Sequence, residues 1–288
     1  MPSLREIVQQ THQTLEAYEI ADARLEAEVM AMNVMQMPRH GLVAQQEMEV
    51  SRQQQESLKE ILLRRQQREP LAYILGHKEF YGVDLLVTPD VLIPRPETET
   101  LVEHALFMSL MGMEVAQLVI ADVGTGTGGI AINLGLHIPA ARIYATDINE
   151  KSLAVANFNI RRHNVADRIT LCHGDLLEPL PEPVDLIVAN LPYIPTQRVP
   201  ALQAEIQWEP VEALDGGSQG MDLIARLISQ AAGKLNPQGA ILLEMDPEQI
   251  PAAEGLAQQY LPEAETSVER DLAGMDRVFV ISRAVTEE

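Results

Sequence analysis

The chain has 288 residues, a hydrophobic fraction of 46%, one cysteine and a formal charge of −21. This length is enough for two globular domains, and a single cysteine excludes an internal disulfide bond and the usual zinc-ligand spacings. No apolar run is long enough to cross a bilayer, and the acidic charge would repel the phosphates of nucleic acids. We therefore expect a soluble, cytoplasmic protein without a metal site, whose partners are proteins and not nucleic acids or membranes.

Residues 1–75 carry apolar side chains at helical spacing. The pattern predicts a helix over 4–18, another from an N-cap at Asp22 to just before Pro38, and a third over 51–69. The piece over 42–46 could be helical as well. Because the region has no catalytic residue types, we expect a helical domain that either docks a substrate or only caps the next domain.

Residues 76–96 differ in composition, since prolines and glycines interrupt short apolar segments there. The segments at 80–83 and 85–87 predict a β-hairpin. We interpret residues 76–96 as a hairpin linker between two domains.

From residue 97 onward, strand and helix patterns alternate. The predicted helices lie at 97–111, from 129, at 150–163, at 221–235 and before the last strands. The predicted strands lie at 118–122, 142–146, 169–172, 184–189, 240–244, 264–268 and 277–281. Such alternation predicts an α/β domain over 97–288, with a parallel sheet covered by helices on both faces. Ligands bind such sheets at the carboxyl ends of the strands.

A glycine-rich loop, DVGTGTGG at 122–129, joins the first strand of this domain to its helix. Gly124, Gly126 and Gly129 satisfy the G-x-G-x-x-G fingerprint, which lets the backbone turn sharply and approach a ligand. Asp147, at the end of the second strand, supplies a carboxylate that a ribose diol would use as a hydrogen-bond acceptor. The pair indicates an adenosine-bearing cofactor.

Acidic residues at the strand ends favour S-adenosylmethionine (SAM) over NAD. Asp122 directly precedes the loop, where its carboxylate would attract an ammonium group and repel a pyrophosphate. Asp175, with Leu176 after the third strand, could receive an adenine amino group. The alternative for both aspartates is helix N-capping or simple solvation.

The sequence Asn190-Leu191-Pro192-Tyr193 follows the fourth strand, and hydride transfer has no need for it. Asn190 Oδ1 and the carbonyl of Leu191 could each accept one N–H of a planar NH2 group and so orient its lone pair toward a methyl donor. The ring of Tyr193 would wall the pocket. The alternative is that Asn190 caps a turn before a proline.

With these residues the chain resembles the HemK/PrmC family, the peptide chain release factor N5-glutamine methyltransferases. The resemblance covers nearly the whole chain. Beyond the Asn190 tetrapeptide, it rests on motifs that generic methyltransferases do not share: PLAYILG at 70–76, EFYG at 79–82, IPRPETE at 93–99, WEP at 208–210, ALDGG at 213–217 and RDLAGMDR at 270–277.

The resemblance implies a class I SAM-dependent methyltransferase fold, in which a helical bundle precedes a mostly parallel, Rossmann-like sheet with a C-terminal antiparallel hairpin. It implies methylation of the glutamine in the GGQ motif of class 1 release factors, which the helical domain helps to engage. The cofactor-binding residues implied are Gly124, Thr125, Gly126, Thr127, Gly128, Asp147, Asp175, Leu176 and Asn190. The residues implied to hold the glutamine are Asn190, Leu191, Pro192 and Tyr193.

One residue departs from the family pattern, which has proline where this chain has Leu191. Leucine keeps the carbonyl but loses the fixed φ of proline, so we expect retained function with slower turnover. Three alternatives stay open: glutamine methylation of a ribosomal protein, amino methylation of nucleic acid bases, and cofactor binding without catalysis.

Overall fold

The computed structural model describes residues 1–111, 117–271 and 273–283. The chain forms two compact units: residues 1–76 with 204–208, and residues 77–203 with 209–288. No helix in the described ranges is both long and apolar enough to span a bilayer.

The first unit is helical. Its helices are α1 (Leu4–Ala17), α2 (Ala23–Met35), α3 (Arg39–Ala44), α4 (Arg52–Gln66) and α5 (Leu71–Leu75). Capping boxes start two of them: Ser3 with Glu6 before α1, and Ser51 with Gln54 before α4. Their apolar faces bury one shared core, which includes the fully buried Met30.

Two details of this unit differ from the sequence prediction. Asp22 occupies the N-cap position of α2, but its side chain makes no capping hydrogen bond. Helix α5 was not predicted, because Pro70 and Gly76 were interpreted only as loop signals. They mark its start and its end instead, with Gly76 in the left-handed conformation that commonly terminates a helix.

The second unit begins with a β-hairpin, as predicted, formed by the antiparallel strands β1 (His77–Phe80) and β2 (Val83–Leu86). Its turn lies at 81–82, inside the segment 80–83 that was predicted as the first strand, so the predicted strand bounds were wrong. Its helices are α6 (Thr98–Met111), α7 (Gly129–His137), α8 (Glu150–Arg162), α9 (Asp222–Ala231) and α10 (Ile250–Tyr260). The strands of its main sheet are β3 (Val119–Val123), β4 (Arg142–Asp147), β5 (Ile169–His173), β6 (Val184–Ala189), β7 (Leu235–Glu244), β8 (Ala264–Arg270) and β9 (Asp276–Arg283).

In the described ranges this sheet has seven strands in the order β5-β4-β3-β6-β7-β9-β8, all parallel except for the antiparallel pairs made by β9. One buried cluster lies on the face covered by α6, α7 and α8, and a second on the face covered by α9 and α10. The predicted fold class, a mostly parallel sheet with a C-terminal antiparallel hairpin after a helical region, is confirmed.

Some element boundaries were wrong. Helix α9 ends at Ala231 and not near residue 235, because Leu235 already begins β7. Short 3-10 turns, which the sequence did not indicate, cover Val199–Ala201, Ile206–Trp208 and Val211–Ala213. Leu272, within the predicted hairpin motif, lies outside the described residues.

Candidate active site

The loops that follow β3, β4, β5 and β6 line one cleft at the carboxyl edge of the sheet. The parallel register brings these strand ends together, with Val123 paired to Thr146 on one side and to Ala189 on the other. The predicted site residues on the cleft wall are Gly124, Gly126, Asp147, Asp175, Leu176, Asn190, Leu191 and Pro192.

The glycine loop folds back on β4. The backbone N–H groups of Gly124 and Thr125 both donate to the Thr146 carbonyl at 2.9 Å. Gly124 and Gly126 have φ values of +74° and +54°, a conformation that side chains with a Cβ disfavour. Because neither residue has a Cβ, the loop backbone itself faces the cleft.

Three other predicted cofactor residues belong to this loop but do not line the cleft. Thr125 and Thr127 are buried, and the Thr127 carbonyl accepts a hydrogen bond from Asn159 Nδ2 at 2.9 Å. A Cβ at Gly128 would lie 3.3 Å from the Ala156 side chain, so this glycine permits close packing on α8. These residues shape the loop, and their contact with a cofactor stays a prediction.

Asp122 is also not on the wall. It is fully buried, and its Oδ2 accepts hydrogen bonds from the Thr125 hydroxyl at 2.6 Å and from the Ala131 N–H at 3.1 Å. Burial raises its pKa to about 6. Oδ2 thus bonds to the first turn of α7, as in the helix-capping alternative, while Oδ1 is buried without a hydrogen-bond partner among the described residues. The contact of Asp122 with an ammonium group stays a prediction.

Asp147 lies on the cleft wall as predicted. Its Oδ2 accepts from the Gly126 N–H and its Oδ1 from the Asn149 N–H, both at 2.9 Å. The pKa of this carboxyl is raised, because the effect of burial exceeds the opposing effect of the backbone N–H donors. A carboxylate offers about four lone-pair positions, so Asp147 keeps acceptor capacity for a diol.

Asp175 has a partner that the sequence analysis missed. Its carboxylate forms an ion pair with Arg226 of α9, and both residues line the cleft. The expected bond from Asp175 to an adenine amino group therefore competes with a cation in place. The buried residues Ile224 and Leu227 assign one face of α9 to the core, and that pattern could have indicated that Arg226 faces elsewhere.

The Asn190 tetrapeptide starts directly after β6. Asn190 Nδ2 donates to the Thr98 hydroxyl at 2.9 Å, and Leu191 is buried against the glycine loop, where a Cβ on Gly124 would lie 3.1 Å from its Cδ2. The Tyr193 ring was expected to wall the pocket, but Tyr193 is not among the residues that line this cleft. Its hydroxyl donates instead to Glu244 Oε1 at 3.4 Å, and burial raises its pKa.

Two other segments support the backbone of this tetrapeptide, one at 216–220 and one at 246–249. Gln249 Nε2 donates to the Tyr193 carbonyl at 2.7 Å, while a Cβ on Gly216 would lie 2.5 Å from the Pro192 carbonyl oxygen. Gln249 Oε1 in turn accepts from the Asp246 N–H at 3.2 Å. Gly216 and Gly220 are therefore required by close approach to the tetrapeptide, a role that the sequence analysis did not assign, whereas a Cβ on Gly217 would meet the Asp222 carboxylate.

The motifs at 93–99 and 208–210 contact each other through Glu209. Glu209 is buried, accepts from the Ile93 N–H at 3.0 Å and pairs with the Arg95 guanidinium.

Among the described residues, no group of three or more His, Cys, Asp or Glu is arranged to hold a metal ion.

Family models match both parts of the chain: the PrmC N-terminal domain matches residues 6–76, and the methyltransferase small domain matches residues 103–217. The release factor glutamine methyltransferase of Moorella thermoacetica is 40% identical over 98% of this chain and 99% of its own length. The enzyme of that name from Coxiella burnetii is 38% identical over 90% of this chain and 92% of its own.

Solved structures show the same fold at low sequence identity. The hMettl16 catalytic domain in complex with MAT2A 3'UTR hairpin 6 has a TM-score of 0.57 at 18% identity, covering 75% of this chain and 81% of that one. A methyltransferase from Pyrococcus furiosus has a TM-score of 0.52 at 17% identity, covering 72% and 92%. The resemblance predicted from the sequence motifs is confirmed, and this chain belongs to the release factor glutamine methyltransferase family.

Proposed function

We propose that this protein transfers a methyl group from SAM to the side-chain amide nitrogen, N5, of the glutamine in the GGQ motif of class 1 release factors. The observation that carries the proposal is the position of Asn190. It lies on the cleft wall beside the glycine loop, with its amide NH2 already bonded to Thr98. A relative at 40% identity over 98% of the chain, named release factor glutamine methyltransferase, indicates the substrate.

The residues on the cleft wall fit SAM. At Gly124 and Gly126 no Cβ separates the backbone from a ligand, and Asp147 keeps lone pairs for the ribose diol. Leu176, which lines the cleft beside Asp175, would contact the adenine ring. When bound, SAM supplies a methyl group on a positively charged sulfur.

Asn190 and Leu191 would hold the substrate amide. Asn190 Oδ1 accepts one N–H and the Leu191 carbonyl the other, which turns the nitrogen lone pair toward the methyl group. Such alignment can lower a barrier by several kcal/mol, up to about 7–11. The amide proton becomes acidic only after methyl transfer, so these residues need to orient the nitrogen and not deprotonate it first.

The remaining parts of the chain have roles in this scheme. Residues 1–75 form the domain that docks the release factor, residues 76–96 link it, and residues 97–288 carry the transfer. The net charge of −21 favours a protein partner over direct contact with nucleic acid or an anionic membrane. The protein acts in the cytoplasm, where translation ends.

The test is methyl transfer from labelled SAM to purified substrates. The wild-type protein should label a class 1 release factor, and Asn190→Ala should abolish labelling. Asn157→Ala, an exposed asparagine on α8, is the matched control and should retain it. Labelling of a ribosomal protein or of bare nucleic acid, without labelling of the release factor, would contradict the proposal.

A further inference from the structure

A buried polar cluster lies next to Asn190, formed by Thr98, Glu244 and Tyr193. Glu244 is the last residue of β7, and the register pairs its neighbour Leu243 with Ala189, the residue before Asn190. Thr98 is 4% exposed and Glu244 is 1% exposed. Both side chains are therefore shielded from water immediately beside the residue proposed to hold the substrate.

Hydrogen-bond direction gives this cluster its importance. A side-chain amide donates through nitrogen and accepts through oxygen, so its orientation is set by what its neighbours offer. Thr98 accepts from Asn190 Nδ2 at 2.9 Å. A hydroxyl could equally donate to Asn190 Oδ1, which would turn the amide over and present NH2 to the substrate. Something must therefore attract the Thr98 proton elsewhere.

Glu244 is the group that can attract this proton. The Thr98 hydroxyl interacts with the Glu244 carboxyl and lowers its pKa, and Tyr193 donates to Oε1 at 3.4 Å. Glu244 Oε2 is buried without a hydrogen-bond partner among the described residues. An ionised Glu244 thus has a free acceptor for the Thr98 hydroxyl, and a hydrogen bond donated by that hydroxyl leaves the Thr98 lone pairs free to accept from Asn190.

We propose that Thr98 and Glu244 are positioning residues that fix the Asn190 amide with Oδ1 toward the substrate nitrogen. This inference rests on the proposed function and assigns these two residues a part in it. Neither residue touches the substrate. Both act through the orientation of Asn190.

The arrangement should depend on pH. Burial raises the pKa of Glu244 to about 7, with Arg277 from β9 opposing and Glu97, just before α6, reinforcing the shift. Near Tyr193 the further charged groups are Arg95 and Asp246. Above this pKa the Glu244 carboxylate accepts a hydrogen bond from the Thr98 hydroxyl. Below it the protonated carboxyl can donate to Thr98, whose own proton then turns to Asn190 Oδ1, and the competent orientation is lost as pH falls.

The experiment compares Thr98→Val, which removes the hydroxyl at nearly constant volume, with Thr98→Ser, which keeps it. Thr100→Val on the same helix is the matched control, since Thr100 is also buried. We expect Thr98→Val to lower kcat for the release factor by about tenfold or more. The Kd for SAM should change less than about twofold, and Thr98→Ser and Thr100→Val should keep kcat near the wild-type value.

The pH profile separates positioning from a merely structural role. Wild-type kcat should fall as pH drops through about 7. Glu244→Gln, which resembles the protonated acid, should give a low kcat without that inflection. The Asn190 side-chain NH2 signal in a 15N NMR spectrum should exchange with solvent faster in Thr98→Val than in wild type.

The possible failures are distinguishable. A wild-type protein that transfers no methyl group to the release factor overturns the proposed function and this inference with it. An active wild type with unchanged kcat in Thr98→Val overturns the inference alone, as does a Glu244→Gln profile with the wild-type inflection.

Discussion

Gly216→Ala should uncouple methyl transfer from cofactor binding. The added Cβ would lie 2.5 Å from the Pro192 carbonyl oxygen and 2.8 Å from the α-carbon of Tyr193. Both are backbone atoms and cannot rotate away, so the tetrapeptide and the segment at 216–220 must move apart by several tenths of an ångström or more. Gly216 does not have a positive φ, which means that the substitution tests steric contact and not backbone strain.

The magnitude follows from the alignment that methyl transfer needs. A misplacement of about 1 Å can cost about 100-fold in rate, or about 2.7 kcal/mol of barrier. We therefore expect kcat for the release factor to fall between about tenfold and 100-fold. Overpacking should also lower the free energy of unfolding by about 1–3 kcal/mol.

The assay measures initial rates of methyl transfer, the Kd for SAM by calorimetry and the melting temperature. Gly255→Ala is the matched control, because nothing lies within 4 Å of its Cβ position in α10. The control should keep the wild-type rate and gain slightly in stability, as alanine favours a helix interior. Equal rates for Gly216→Ala, Gly255→Ala and wild type would show that the tetrapeptide does not require this glycine.

Three further changes test other parts of the molecule. Asp147→Asn should raise the Kd for SAM about tenfold or more in calorimetry, because hydrogen bonds to a charged group contribute about 1.5–3 kcal/mol. Asp167→Asn, at an exposed position, is its control. Equal affinities of the two variants for SAM would show that Asp147 does not bind the cofactor. Arg65→Ala should lower the free energy of unfolding by about 3 kcal/mol in denaturant titration, because it leaves Glu26 and Glu205 without the buried guanidinium at 2.7 and 3.1 Å. The exposed Arg24→Ala should change it by less than about 1 kcal/mol, and similar losses for both variants would contradict this account. Leu191→Pro should raise kcat in single-turnover measurements, because proline fixes φ and aims the residue 191 carbonyl; an unchanged or lower kcat would show that backbone stiffness at this position does not limit turnover.

The overall fold could be predicted because its signals are local. Alternating helical and strand periodicities, with a glycine loop after β3, define the order of elements and the edge where strands end. The boundaries failed where a signal has two meanings. Pro70 and Gly76 break a chain in many contexts, yet here they enclose the single turn of α5.

The composition of the candidate site was less predictable because its decisive contacts join distant positions. Thr98 and Asn190 are 92 residues apart, and Asp175 and Arg226 are 51 apart. No periodicity encodes such pairs.

The burial of Asp122 was hidden for a different reason. Every residue of β3 is buried, so apolar and polar residues do not alternate along the strand. The sequence therefore does not indicate on which face of the sheet the Asp122 side chain lies. Its face is that of Ile120, which packs in the cluster below α7. This explains why its Oδ2 bonds to the first turn of that helix.

Tandem mass spectrometry of the GGQ peptide tests directly whether this protein methylates the release factor glutamine. A class 1 release factor is incubated with SAM and either the wild-type protein or Asn190→Ala, and the site of modification is localised. We predict one added methyl group on the GGQ glutamine with the wild-type protein and none with Asn190→Ala. An unmodified glutamine with the wild-type protein, or equal modification by both, would contradict the account.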